Sequence, residues 1–370
     1  MRIAVDARLT DYSVGGIPEY IQQLSTRLPK LDTSNEYLIL NSVKTRQRQY
    51  SNTHGKMVKC WTPAHHVLER YSLTLELLPR NIRLLHSPDF IPPRGGPWKS
   101  VITIHDLSFL LYPHFLTPHS QQYYNNQIRH AVQRADAILA DSNTTRNDIL
   151  EHLDVTPDKV TTVYLAPHER YQPQPTQIVK STLSRLKLPS QYLLFVGTFE
   201  PRKNINGLLE AYSSLISKQN DTPQLIMIGR QGWLDEPIET QLHKLNLQKQ
   251  VHILTNVDTQ DLPAIYTGAV ALLLPSHYEG FGFPVLESMA CGTATIISNK
   301  GSLPEIAGEA ALQCNPNNPE SIEEAISLVL TDSKLRSDLE QKGIKQSSIF
   351  TWHKCCQQTL DVYNKVLQST

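Results

Sequence analysis

"VALLLPSHYEGFGFPVLESMACGTATIIS", residues 270–298, packs an apolar run, an irregular Gly- and Pro-containing loop, a helical stretch and a second apolar run into one short segment. VALLLP and ATIIS are of strand length and show no polar alternation, which suits strands buried on both faces of a parallel sheet. PVLESMAC between them reads as the start of the crossover helix that parallel strands require.

The same rhythm recurs along the chain. Strand-like runs IAV, YLIL, LLH, VITIH, AILA and VTTVY precede residue 165, and YLLFVG, QLIMIG, VHIL, VALLLP and ATIIS follow it. Helical candidates lie between them at Pro18 to Leu28, Gln121 to Arg134, Thr144 to Leu153, Ile205 to Lys218 and Glu320 to Leu330. Strand and helix in alternation predict an α/β protein built of doubly wound, Rossmann-like units. A length of 370 residues exceeds what one hydrophobic core usually supports, so two domains are expected. The Pro- and Gln-rich stretch APHERYQPQPTQ, 166–177, interrupts the rhythm and reads as a connector. The expected boundaries are 1–170 for the first domain, 171–185 for the linker and 186–351 for the second domain. Ligands of such folds bind beyond the carboxyl ends of the strands, so two of them meeting across a cleft would place their motifs just after strands.

Lys plus Arg and Asp plus Glu number 35 each, which argues against a general polyanion binder and against an acidic solvating protein. The first 170 residues carry 19 basic and 16 acidic residues, so an anionic partner would sooner meet that half. Within it, KTRQRQYSNTHGKMVKCW, 44–61, has five basic residues, no acidic one and a terminal tryptophan. It reads first as a solvated loop, and is a candidate contact for an anionic lipid surface or a lipid-diphosphate acceptor. Five cysteines without a C-x-x-C, no apolar leader and no run of about 20 apolar residues predict a cytoplasmic protein, at most peripheral on a membrane.

Several stretches carry chemistry. Gly15 and Gly16 precede a helix and would let backbone amides approach a phosphate, although an ordinary loop-to-helix turn reads the same. Arg202 and Lys203 follow the strand YLLFVG and precede a helix, as a pyrophosphate clamp or a solvated basic turn. His105 and Asp106 end a buried strand, where His105 is a candidate donor to a substrate hydroxyl or a structural cap. Glu279 lies in the loop after VALLLP and Glu287 about one turn into the following helix. Carboxylates accept paired hydrogen bonds from vicinal hydroxyls, so their spacing suggests two sugars held at once. The bland alternative is a solvated loop for Glu279 and helix N-terminal charge for Glu287. No D-x-D triplet or His/Cys cluster appears, so a metal-bridged diphosphate is not expected and the basic pair would carry that charge.

The E-x7-E pattern from Glu279 to Glu287, enclosing E-G-F-G-F-P-V-L-E, resembles the signature of glycosyltransferase family 4, retaining enzymes of the GT-B fold. Gly15-Gly16, His105-Asp106, ADSNTTRNDI (140–149), VGTFEPRKN (196–204) and GSLPEIAGEAAL (301–312) extend the likeness. IHDLSFLLYPHF most resembles bacterial mannosyltransferases that build surface polysaccharides, including lipopolysaccharide.

The resemblance implies an acceptor-side first domain, a nucleotide-sugar donor domain second, and a C-terminal helix, about 352–370, that returns to the first. It places Glu287 at the ribose, and Glu279 with the amides of Phe281, Gly282 and Phe283 at the hexose and diphosphate. Arg202 and Lys203 would hold the diphosphate, Gly16 would approach it, and His105 would touch the transferred sugar. Asp106, Thr198, Gly229 and Pro284 complete the implied contacts. Some relatives have an arginine where this chain has Thr198, so donor affinity or sugar choice is expected to differ. The implied reaction needs no cofactor beyond the co-substrate, GDP-mannose or a UDP-glucose type of donor, and a glycan or lipid-linked acceptor. Rival readings are a sugar-nucleotide epimerase or phosphorylase on the same scaffold, and a non-catalytic nucleotide-sugar-binding module.

Overall fold

The computed structural model describes residues 1–11, 15–43, 53–66, 68–219, 221–232 and 236–368. The chain divides into two compact units, Met1–Leu165 with Thr351–Thr370, and Ala166–Phe350.

The first unit holds seven strands: β1 (Arg2–Asp6), β2 (Glu36–Ser42), β3 (Lys56–Cys60), β4 (Leu84–Ser87), β5 (Lys99–Ile104), β6 (Ala137–Ala140) and β7 (Val160–Thr162). They pair in the order β3-β2-β1-β4-β5-β6-β7, every pair parallel. The chain winds one way from β1 to β3 and the other way from β4 to β7, so the strand order reverses between β1 and β4. Crossover helices leaving opposite faces at such a point open a crevice at the carboxyl edge. Helix α1 (Gly16–Leu31) follows β1, and α2 (Glu69–Leu77) packs Leu73 and Leu77 onto Val58, Cys60 and Leu85 of the sheet.

The second unit holds β8 (Tyr192–Val196), β9 (Gln224–Ile228), β10 (Val251–Leu254), β11 (Ala271–Leu274), β12 (Ala294–Ser298) and β13 (Leu312–Cys314). Their order is β10-β9-β8-β11-β12-β13, again all parallel, with the reversal between β8 and β11. β8 and β11 are central, and Leu193, Leu194, Leu272 and Leu273 are fully buried, which is why both read as unbroken apolar runs.

Two strands escape the apolar pattern. β3 is an edge strand with Lys56, Met57 and Lys59 exposed, and β13 is a three-residue edge strand with Gln313 exposed. An edge strand tolerates polar outward side chains, so neither resembles its buried neighbours.

The stretch expected as a linker, 171–185, is in part a helix, Thr176–Arg185. The Pro- and Gln-rich composition ends at Pro175, and from there Val179, Leu183 and Leu186 recur at helical spacing and pack with Tyr192, Ile265 and Tyr266.

The C-terminal helix Trp352–Gln368 packs against α1, with Trp352 stacked on Tyr20 at 6.4 Å between ring centroids. A buried polar chain fastens it to the sheet. Tyr363 Oη lies 2.6 Å from His86 Nδ1, His86 Nε2 lies 2.9 Å from Thr103 Oγ1, and Thr103 Oγ1 lies 3.0 Å from Tyr20 Oη. Burial holds the His86 ring neutral, with its pKa near 3.

Candidate active site

In the second unit the loops after β8 and β11 leave neighbouring strands at the reversal of strand order, and they meet. The backbone N–H of His277 donates to Arg202 O at 2.8 Å. Asn204, in the left-handed conformation, spans the gap with its amide, donating to Pro275 O at 3.1 Å and Pro316 O at 2.7 Å.

This junction sets Glu279 between two cations. Lys203 Nζ donates to Glu279 Oε1 at 2.5 Å, and Arg202 Nη1 donates to Oε2 at 2.6 Å. Ser276 Oγ adds a third donor, 2.8 Å from Oε1. Arg202 Nε turns to Glu200 Oε1 at 2.7 Å. Glu279, Lys203 and Glu200 are buried while Arg202 keeps about a fifth of its side chain in contact with solvent. The cluster therefore balances two carboxylates against two cations. Burial by itself pushes the Glu279 carboxyl up, but Arg202 and Lys203 outweigh it and hold its pKa near 2. Burial, then the neighbouring Arg202, lower the pKa of Lys203, and Glu279 opposes both.

The backbone of Glu279 is fixed as firmly as its side chain. Ser302 donates its N–H and its hydroxyl to Glu279 O at 3.1 and 2.9 Å. Gly301 has φ +62°, and a Cβ there would lie 2.9 Å from both Glu279 N and Glu279 O, so this close approach requires glycine. The segment GSLPEIAGEAAL thus acts as a brace for the glutamate.

Glu287 stands on the helix Phe283–Ala290, which Gly282 caps and Pro284 opens. Its carboxylate accepts from Tyr266 Oη at 2.8 Å and also engages the Tyr171 hydroxyl, whose pKa is raised by burial and then by this carboxylate. The two tyrosine rings meet edge to face at 5.8 Å. Phe281 is buried edge-on against Phe283 and Phe350, so its ring is committed to packing. Thr198 is exposed at the end of β8. A Cβ on Gly229 would lie 1.9 Å from Gly197 O, so this glycine is required for the ends of β8 and β9 to close together.

In the first unit Gly15 caps α1 and Gly16 is its first residue. His105 is fully engaged: Nδ1 lies 2.6 Å from Asp141 Oδ2 and Nε2 donates to Pro88 O at 2.9 Å, under the edge-to-face ring of Tyr20. Burial opposes its charge, yet Asp141 and Asp89 raise its pKa to about 9, so it stays an imidazolium at neutral pH. A sugar contact through Nε2 would have to displace the Pro88 carbonyl. Asp106 Oδ1 accepts from the Ser108 N–H at 2.8 Å.

Among the described residues no group of three His, Cys, Asp or Glu side chains is placed to hold a metal ion, and no helix is long and apolar enough to cross a membrane. The five cysteines are buried thiols. Residues 44–52 of the basic stretch, with Lys44, Arg46 and Arg48, lie outside the described residues; Lys56, Lys59 and Trp61 are exposed.

Residues 182–346 match the family "Glycosyl transferases group 1" and residues 14–166 match "Glycosyltransferase Family 4". The chain belongs to glycosyltransferase family 4. This glycosyltransferase is 29% identical to O-antigen chain mannosyltransferase B of Escherichia coli over 98% of its own length and 99% of the relative's. It is 32% identical over 76% of its length to the serotype-specific mannosyltransferase WbdA of Escherichia coli, of which it spans about a third, 35%. Its fold matches that of Anabaena HepE, solved in complex with UDP and glucose, at a TM-score of 0.79 and 14% identity, covering 98% of this chain and 99% of that one. The glycosyltransferase has the GT-B fold.

The asparagine bridge, Ser276, Ser302 and the two tyrosines were not singled out from sequence. Asn204 and Ser302 lie inside quoted motifs. Tyr171 lies in the presumed linker, where composition masks its role.

Proposed function

We propose that this glycosyltransferase transfers mannose from GDP-mannose to a glycan or lipid-linked acceptor with retention of anomeric configuration. The observation that carries the donor reading is the end-to-end similarity to a named O-antigen chain mannosyltransferase. The bond from the anomeric carbon to the diphosphate breaks, the acceptor oxygen bonds to that carbon on the same face, and the acceptor proton passes to a departing phosphate oxygen. Arg202 and Lys203 stabilise the charge growing on the diphosphate, a task for which cations already held in place are well suited. Glu279 holds both cations in register. On this reading the reaction needs no metal, and a chelator leaves the rate unchanged.

A UDP-glucose donor is the second reading, favoured by the HepE complex with UDP and glucose. Separate incubations with GDP-mannose and UDP-glucose decide between them. Nucleotide release and sugar transfer are expected with GDP-mannose; transfer from UDP-glucose alone overturns the donor assignment, and interconversion without transfer marks an epimerase. Thermal shift gives an independent reading, since a ligand at 100 times its dissociation constant stabilises by about 2.7 kcal/mol.

The enzyme is further proposed to work in the cytoplasm against an anionic bilayer surface. Helix α2 is apolar on both faces: Leu73 and Leu77 point inward, while Leu68, Tyr71, Leu75 and Leu78 form an exposed stripe at helical spacing. Arg94 stacks on Tyr71 at 4.9 Å, and the segment before α2 exposes Lys56, Lys59 and Trp61. Apolar side chains edged by cations are the composition that binds anionic headgroups. Leu75→Glu should release the protein from phosphatidylglycerol vesicles without changing donor kinetics; unchanged vesicle binding removes this contact.

A further inference from the structure

Lys203 is bracketed by two ties to the loop after β11. The residue before it accepts at Arg202 O from the His277 N–H at 2.8 Å, and the residue after it donates through Asn204 Nδ2 to Pro275 O at 3.1 Å. Both ties land on the neighbours of Ser276, whose Oγ lies 2.8 Å from Glu279 Oε1, the oxygen that Lys203 Nζ also meets. Asn204 Nδ2 donates as well to Pro316 O at 2.7 Å, in the loop that follows β13. One buried amide therefore joins the loops after β8, β11 and β13, and both of its hydrogens are held by main-chain carbonyls.

Two residue choices at this point run against local preference. Residue 204 has φ +56° and ψ +45°, a left-handed conformation that glycine adopts with least strain, yet the chain has asparagine. Three residues on, in the first turn of the helix Ile205–Lys218, alanine would favour the helix, yet the chain has glycine. A single contact accounts for both. A Cβ on Gly207 would lie 2.6 Å from Asn204 Oδ1 and 2.9 Å from Asn204 Nδ2, so the amide fits between its two carbonyls only because residue 207 has no side chain.

We propose that Asn204 is a positioning residue that sets Lys203 against Glu279, and that residue 207 is glycine to leave room for its amide. The consequence for catalysis rests on the assignment of Lys203 to the departing diphosphate made above. A fixed cation stabilises growing charge only if it already stands where that charge appears. Without the amide, the main chain at Lys203 keeps the tie on its Arg202 side and loses the one on the other, so the ammonium group is no longer set from both sides. Asn204 acts through the lysine, since no amide hydrogen remains to meet a substrate.

The test is a double-mutant cycle on the full-length protein, comparing wild type, Asn204→Gly, Gly207→Ala and the double variant. Asn204→Gly keeps the left-handed backbone and removes only the amide; Gly207→Ala keeps the amide and displaces it. Initial rates are taken with whichever of GDP-mannose and UDP-glucose the wild type turns over, so a wrong donor assignment leaves the cycle readable. Each single variant should lower kcat about ten- to hundredfold with a smaller change in donor KM, the scale of a misplaced catalytic group. The double variant should be no worse than Asn204→Gly, because the added methyl acts only through the missing amide. Trace acetylation read by mass spectrometry follows the lysine without any turnover. Lys203 is buried, and its labelling should accelerate about threefold or more in both single variants, while exposed Lys180 labels at a constant rate. Losses that multiply in the double variant overturn the role of Gly207, and unchanged labelling of Lys203 in Asn204→Gly overturns the proposal. Faster labelling with unchanged kcat upholds the positioning of Lys203 and overturns its diphosphate role.

Discussion

Lys203 Nζ and Glu279 Oε1 lie 2.5 Å apart although their residues are 76 positions apart in the chain. Adjacent strands β8 and β11 bring them together, and the reversal of strand order at that place leaves the crevice open above them. Removing one partner of a buried ion pair leaves an uncompensated charge, which is why such pairs are sensitive to substitution on either side.

Lys203→Ala should lower kcat, because negative charge on the departing diphosphate loses a fixed counter-charge. It should also change acid stability. Glu279 has a depressed pKa in the folded protein, so its contribution is fully present above the ordinary value of 4.5 and is lost as pH falls toward about 2. The stability gap between wild type and Lys203→Ala is expected to be largest near neutrality and to narrow below pH 4.5. Urea midpoints measured from pH 7 down to the acid limit read it, and a gap independent of pH contradicts the pairing.

His105 titrates with the opposite sign. Its folded pKa is raised from 6.5 to about 9, so its stabilising contribution is fully present below 6.5 and is lost as pH rises through about 9. Asp141→Asn removes the main cause of the shift. Melting temperature against pH should therefore fall between pH 6.5 and 9 in the wild type more steeply than in Asp141→Asn, and parallel curves would show that the pair does not hold the proton.

Tyr363→Phe should destabilise the first unit by about 1–3 kcal/mol, the usual cost of leaving a buried polar group unpaired. The orphan is His86 Nδ1, which Tyr363 Oη meets at 2.6 Å. Hydrogen exchange is the appropriate readout in a protein of two units, because one global unfolding transition is not assured. Exchange should accelerate in α1 and the C-terminal helix; unchanged protection there contradicts the role of this chain of hydrogen bonds.

Glu287→Ala should chiefly raise the donor KM, since a ribose contact equal in ground and transition states does not alter kcat. Tyr266→Phe and Tyr171→Phe each remove one hydroxyl from the Glu287 carboxylate and should raise KM by a smaller factor, about three- to tenfold. A fall in kcat at constant KM in these tyrosine variants would place Glu287 in the chemical step.

The parts legible in the sequence are those governed by local pattern. β8, β11 and β12 are buried on both faces and read as apolar runs, and Gly301 lies in a recognisable motif. Partnership is not local. Nothing near Glu279 in the chain announces that Arg202 and Lys203 neutralise it; the pair read from sequence as a diphosphate clamp or a solvated basic turn is in this structure the counter-ion of that carboxylate. His105 read equally as a donor to a substrate hydroxyl or as a structural cap, because its partners Asp141 and Pro88 lie just beyond other strands, out of reach of local pattern.

The most direct test of Glu279 as the organiser of the reaction is initial-rate kinetics on Glu279→Gln with donor varied at saturating acceptor, after circular dichroism confirms folding. The substitution keeps volume and one acceptor oxygen but removes the charge that offsets burial and Arg202 at Lys203, so the lysine should tend toward its neutral form. Losing one preorganised electrostatic element costs about 100-fold or more in kcat, and that fall is expected here with a smaller change in donor KM. A kcat within a few-fold of wild type would contradict it and leave Glu279 as an anchor for its loop.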